Sequence, residues 1–211
     1  MASTRLEIVI VEDHPPMCQG LELLLPHHGF RVTGSAGSAA AGARMIRARR
    51  PDVALVDLDL GDGSGTDLAT TLIAEWPGTA IVLYTGSVDV AVLDDAATSG
   101  AYGLVLKTSP MERVADALRA AAAGRNYVDA ALFGRLRARG ARRISVREAQ
   151  ILGLLARGLT TRQIADELFL AADTVQTHVR NATRKLGARG RLHAVVLALA
   201  GGDLGRTASM R

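Results

Sequence analysis

Apolar and polar positions alternate along the chain in two different rhythms. Over the first 124 residues, five short runs are apolar on nearly every position: LEIVIV (6 to 11), FRVTG (30 to 34), DVALVD (52 to 57), AIVLYT (80 to 85) and YGLVLK (102 to 107). Runs of this length, rich in β-branched residues, read as strands buried on both faces. Between them the spacing becomes helical. Met17, Leu21, Leu24 and His28 recur at helical intervals, as do Val114, Ala117, Leu118 and Ala121. Strands alternating with helices predict an α/β unit, a doubly wound five-stranded parallel sheet covered on both sides, with ligands beyond the carboxyl ends of the strands.

From Ser145 the rhythm is helical throughout. Ser145-x-x-Glu148 and Thr160-x-x-Gln163 have the form of capping boxes, and Gly158 lies where a glycine ends a helix. Ile151, Leu154 and Leu155, then Ile164 and Leu168, then Val175, Val179, Ala182 and Leu186 supply inward faces of a small all-α unit. The expected organisation is therefore residues 1–124 as one domain, 125–143 as an arginine-rich linker, 144–200 as a second domain and 201–211 as a loose tail. In the linker, Tyr127, Val128, Leu132, Phe133 and Leu136 are expected to form a short helix able to pack on either domain.

Charge separates the same two parts. The chain of 211 residues carries a net +4. Up to residue 124 it has 9 basic and 15 acidic residues, and after it 16 and 6. An acidic half with clustered carboxylates suits a hard cation, and a basic half suits a polyanion. No apolar stretch approaches the roughly 20 residues that span a bilayer, so no membrane partner is expected. No secretory leader pattern opens the sequence, and the expected location is cytoplasmic. Cys18 is the single cysteine, which excludes an intrachain disulfide or a cysteine zinc site.

Polar residues cluster where strands end: Glu12 and Asp13 after the first, Asp57 at the third, Thr85 at the fourth and Lys107 at the fifth. Any one alone reads as a solvated loop residue. Together, carboxylates this close repel unless a divalent cation relieves them, and Mg²⁺ accepts such oxygen ligands. Asp57 is then an oxygen nucleophile towards a phosphoryl group, with Thr85 and Lys107 holding the phosphoryl oxygens. The D-x-D of Asp57 and Asp59 also occurs in haloacid-dehalogenase-like phosphatases. Those enzymes need an acidic pair downstream of the lysine, where this chain has only Glu112 and Asp116 on a helix face expected to be exposed.

These residues and their spacing resemble the receiver domain of two-component response regulators, over residues 5 to 124. The resemblance implies Asp57 as phospho-acceptor, Asp13 as a direct Mg²⁺ ligand, Glu12 acting mainly through water, and Asp59 as a ligand through its backbone carbonyl. Thr85 and Lys107 take the family's roles at the acyl phosphate, and a sensor histidine kinase is the implied partner. EDHPPMCQGL resembles the start of the NarL/FixJ branch, with His14 read as a helix-entry residue. Two positions depart. Gly61-Asp62 replaces the usual Pro-Gly, adding a negative charge near the phosphorylation loop. Leu104 replaces the aromatic that turns inward on activation, with Tyr102 expected on the same face one pleat away. Switching is then expected through Thr85 and the fourth-helix face, and a regulator that works without phosphate is the alternative.

SVREAQILGLLARGLTTRQIADELFLAADTVQTHVRNATRKLGARGRLHAVVLA resembles the LuxR-type helix-turn-helix over its whole length. A helix over about 172 to 186 with Val175, Val179 and Leu186 inward presents Gln176, Thr177, Arg180 and Arg184 outward, a face suited to the major groove of double-stranded DNA. The resemblance implies Thr161, Arg162, Arg184 and Lys185 near phosphates. Ala171 stands where the family has a capping serine, and Asp173 and Gln176 stand for usual lysines, implying modest affinity unless the protein is a homodimer. The last helix, Leu192 to Ala200, often pairs subunits in this family.

Overall fold

The computed structural model describes residues 5–86, 95–129, 131–132, 144–201 and 203–204. Its main sheet has strands β1 (Leu6–Val11), β2 (Phe30–Ala36), β3 (Val53–Asp57), β4 (Ala80–Thr85), β5 (Gly103–Leu106) and β6 (Tyr127–Val128). They lie in the order β2-β1-β3-β4-β5-β6, every neighbouring pair parallel. The five expected strands are present. The sixth is an addition: Tyr127 and Val128, expected in a helical linker, pair with Gly103 and Leu104 along the edge of β5. Phe133 and Leu136 of that expected helix lie outside the described residues.

Alternation along the buried strands feeds two cores. Val9, Val11, Val56, Leu83, Leu104 and Leu106 pack with Ile46 of α2 (Ala39–Arg49) and Leu68 and Leu72 of α3 (Gly65–Glu75). Ile8, Ile10, Leu55, Val82 and Val105 pack with Leu21 of α1 (Pro15–Leu24) and with Val114 and Leu118 of α4 (Met111–Ala122). Helices on both faces make the sheet doubly wound. Two expectations need correction. Leu24 is 42% exposed and Leu25 is fully buried. The first helix ends at Leu24 and tightens to a 3₁₀ turn over Leu25–His28, because Pro26 has no amide to continue the α ladder. Tyr102 packs with the second core and Leu104 with the first. The strand begins at Gly103, so alternation does not extend back to Tyr102.

The second unit is α5 (Val146–Ala156), α6 (Thr161–Leu168), α7 (Ala172–Leu186) and α8 (Arg191–Ala200). Both capping boxes form: Ser145 and Glu148 satisfy each other's amides at α5, as do Thr160 and Gln163 at α6. Gly158 follows α5 with φ +79°, a conformation natural to glycine. The two units share one apolar cluster, in which Leu104, Leu106, Val128 and Leu132 continue into Ile151, Leu155, Val195 and Leu199. β6 touches both α5 and α8. Arg125 Nη1 donates to Gly158 O at 2.9 Å across the same junction. Leu204, expected in a tail with nothing to bury, is 3% exposed and belongs to this cluster.

Candidate phosphoryl site and nucleic-acid face

Parallel register brings the polar strand ends into one crevice. Asp57 closes β3 opposite Tyr84, and Thr85 closes β4 opposite Leu106, the residue before Lys107. Thr85 is fully buried, and its carbonyl accepts the Lys107 amide at 2.7 Å. Lys107 Nζ lies 2.7 Å from Asp57 Oδ2 and 2.9 Å from Glu12 Oε1. The Asp59 amide donates to Asp57 Oδ1 at 3.3 Å. Asp59 begins a two-residue hairpin arm, Asp59–Leu60 against Gly63–Ser64, with its side chain exposed.

Burial pushes the Asp57 carboxyl above its ordinary range, the Glu12 charge adds to the rise, and the Lys107 hydrogen bond works against it. Burial alone would lower Lys107, but its bonds to Asp57 and Glu12 outweigh that and hold it above the usual lysine value. Lys107 is therefore the side chain that works against burial and the Glu12 charge at Asp57, through both its hydrogen bond and its charge.

The carboxylates fit a hard divalent cation. Ligand atoms of Glu12, Asp13, His14 and Asp57 all lie within 4.8 Å of one another. Glu12 Oε2 is buried without a hydrogen-bond partner. Asp13 Oδ1 likewise accepts no hydrogen bond, although His14 Nδ1 is 2.8 Å away. Two buried carboxylate oxygens left without donors are what a cation would satisfy. His14 precedes α1 without capping it, its ring turned to the carboxylates instead. Asp62, expected to add a negative charge near the loop after Asp57, is hydrogen-bonded to the start of α2. Its carboxylate accepts the amides of Ala40 (3.1 Å) and Ala39 (2.6 Å) at the start of α2, which hold it below the usual carboxylate range. Glu112 and Asp116 are exposed on α4 and take no part in the cluster of Glu12, Asp13, His14 and Asp57, so they give the phosphatase arrangement no second acidic pair there.

On the second unit, Val175, Val179, Ala182 and Leu186 are buried, as the sequence predicts, and Gln176, Thr177, Arg180 and Arg184 are exposed together on the other side of α7. Arg162 is exposed and Thr161 half-buried at the start of α6. Docking of the first unit leaves this face open. Ala171 provides no side-chain cap to α7. Lys185 is exposed, and its ammonium lies 2.8 and 2.9 Å from the two oxygens of buried Glu148, joining α7 to α5. Burial would raise Glu148, yet Lys185 and Ser145 prevail and hold it below its ordinary value.

Sequence reasoning missed Asp129, which is fully buried, and the Arg125 contact to Gly158. It also missed Arg147, whose guanidinium donates to Leu168 O at 2.9 Å and ties α5 to the turn before the outward-facing helix. An acid following two apolar residues in the linker was the only local sign of Asp129.

Comparison with known proteins agrees with this geometry. Residues 8–119 match the response regulator receiver domain, and residues 142–198 match the bacterial regulatory proteins of the luxR family. The DNA-binding transcriptional activator DevR/DosR of Mycobacterium tuberculosis is 35% identical over 203 residues, covering 92% of this chain and 94% of that one. The nitrate/nitrite response regulator protein NarP of Escherichia coli is 35% identical over 209 residues, covering 93% and 96%. The crystal structure of the response regulator ChrA of a heme-sensing two-component system superposes with TM-score 0.55 at 27% identity, covering 93% and 97%. Among the described residues no helix is long and apolar enough to cross a membrane. The chain thus belongs to the NarL/FixJ family of two-component response regulators, DNA-binding transcriptional regulators rather than enzymes, with a receiver domain followed by a LuxR-type helix-turn-helix.

Proposed function

We propose that the chain is a cytoplasmic transcriptional regulator switched by Mg²⁺-dependent phosphorylation of Asp57 by a sensor histidine kinase. Residues 1–124 would act as receiver, 125–143 as connection and 144–200 as the DNA-binding unit. The observation that carries this reading is the Lys107 ammonium set 2.7 Å from a buried Asp57 whose neighbours Glu12 and Asp13 have oxygens without donors. Asp13, Asp57 and the Asp59 carbonyl would hold the cation, with Glu12 acting through water. When bound, Mg²⁺ neutralises the phosphoryl oxygens and orients them for in-line transfer. One Asp57 carboxylate oxygen bonds to phosphorus, and the donor's bond to phosphorus breaks. Lys107 then follows a phosphoryl oxygen, and the Thr85 hydroxyl takes another.

Gln176, Thr177 and Arg180 would meet base edges or backbone in the major groove, with Thr161, Arg162 and Arg184 near phosphates. Lys185 would act chiefly by holding α7 to α5, given its bonds to Glu148. A homodimer would read two half-sites, with α8 the expected pairing helix. In this conformation α8 is largely buried against its own chain, which supports a monomer that must release α8 to pair.

The test is intact mass after incubation with Mg²⁺ and an acyl-phosphate donor, beside Asp57→Ala. One phosphoryl gain, lost in the variant and accompanied by tighter DNA binding, is the expected result; no gain on a folded chain overturns it. The open face of α7 favours one second reading, a regulator that binds DNA without phosphate and is controlled by dimerisation or a partner. It predicts equal DNA affinity for the wild-type and Asp57→Ala chains.

A further inference from the structure

Asp129 is a buried carboxylate to which the phosphoryl site, as read above, gives no role. It follows β6 and is fully buried. Its Oδ2 accepts from the Leu106 amide at 3.4 Å and from the Ser109 hydroxyl. These residues flank Lys107, and the turn between them closes with Ser109 N to Leu106 O at 3.0 Å. One carboxylate therefore pins both ends of the turn that carries Lys107. Its Oδ1 accepts from the Ala131 amide at 2.9 Å and lies 3.4 Å from Arg113 Nη1 of α4.

The same residue is anchored to the connection between the domains. The Asp129 amide donates to Leu104 O at 2.9 Å, and the Tyr127 amide donates to Tyr102 O at 2.9 Å. Val128 before it and Leu132 after it are buried in the cluster shared with the helix-turn-helix unit. Leu104 is fully buried, with β6 bonded along its strand edge. A turning aromatic has no counterpart there, whereas a hydrogen-bonded path runs from the turn that carries Lys107 through Asp129 to the domain contact.

We infer that Asp129 is a positioning residue that holds the Lys107 turn towards Asp57 and transmits its displacement to β6 and the docked DNA-binding unit. The inference rests on the reading of Asp57 as phospho-acceptor. When Lys107 leaves Asp57 Oδ2 for a phosphoryl oxygen, its turn moves, and a carboxylate bonded to both ends of that turn moves with it. Val128 and Leu132 then lose their fit against α5 and α8.

The experiment follows hydrogen exchange of the Tyr127 and Asp129 amides by NMR in the full chain, in a cycle of Lys107→Met and Asp129→Asn. Lys107→Met is expected to speed exchange about tenfold in the wild-type background, the scale of ordinary coupling between sites, and to add nothing in Asp129→Asn. Ser109→Ala keeps the carboxylate and guards against a variant that fails to fold; it should give the same non-additivity at smaller amplitude. Additive effects, or no effect of Lys107→Met, overturn the inference. Incubation with Mg²⁺ and an acyl-phosphate donor separates the two readings. If the chain takes up a phosphoryl group and these amides do not respond, the coupling fails. If no phosphoryl group is taken up while the cycle remains non-additive, the reading of Asp57 fails and the coupling stands.

Discussion

Gly65 is the position where one methyl group tests the geometry of the strand that ends in Asp57, the proposed acceptor. A Cβ built there lies 1.9 Å from the Asp57 carbonyl oxygen and 2.9 Å from its carbon. Carbon and oxygen normally approach no closer than about 3.3 Å, so Gly65→Ala forces the end of β3 and the start of α3 apart by roughly 1.4 Å. Both are tied down: β3 is a buried central strand, and the Gly65 amide bonds Leu58 O at 2.9 Å. Overpacking of this kind costs about 1–3 kcal/mol, which lowers the melting temperature of a domain this size by roughly 3–10 °C. A shift above 1 Å at a reacting carboxylate slows chemistry about 100-fold. Thermal unfolding and the time course of phosphoryl uptake by intact mass measure the two effects. Gly61→Ala is the control, since its Cβ meets only Asp13 Oδ2 at 3.6 Å, an ordinary contact, and should leave both unchanged. A Gly65→Ala chain with wild-type melting and uptake would refute the argument that the acceptor strand is fixed against α3.

Glu148→Gln, which breaks the pair with Lys185 and weakens the α5 capping box, should destabilise the DNA-binding unit by about 1–3 kcal/mol at neutral pH. Because the folded state holds Glu148 below its ordinary value, this stabilisation is complete above roughly pH 5 and disappears as pH falls through the lower folded value. Denaturant titrations of both chains should converge in acid, and a gap that persists there contradicts the assignment. Ala171→Ser adds the missing cap of α7 and should gain about 1 kcal/mol, read in the same titrations. Phe169 ends α6 at φ 53° with its ring 96% exposed, so Phe169→Gly should raise stability by up to about 1 kcal/mol through relief of the left-handed backbone. Arg184→Ala should weaken binding to all DNA sequences alike and reduce the salt slope by about 1, whereas a change in sequence preference would place Arg184 at a base edge.

The parts of the molecule legible from sequence are those whose cause is local. Capping boxes at Ser145 and Thr160 form because donor and acceptor are three residues apart, and the inward face of α7 follows from helical spacing alone. The crevice of polar strand ends was legible because a parallel sheet brings all its strand ends to one side, so Asp57, Thr85 and Lys107 come together whatever their separation in the chain. What stayed hidden depends on tertiary partners. Two residues, Tyr127 and Val128, become a strand only because β5 offers an open edge. The pairing of Lys185 with Glu148 across the α7–α5 contact had no local sign either. Asp62 finds its partners in the amides of Ala39 and Ala40 at the start of α2, 23 and 22 residues away in the chain.

These hidden contacts have a common physical result. The added strand pairs along the sheet edge at Leu104, whose side chain is fully buried. It also buries Val128 against the second domain and sets Asp129 under the Lys107 turn. The position where the sequence departs from its family is therefore the position where the connection to the DNA-binding unit is hydrogen-bonded to the sheet. Leu104 is fully buried in the apolar cluster that Val128, Ile151 and Val195 share, so a larger aromatic there would overpack that cluster and its first effect would fall on the domain contact.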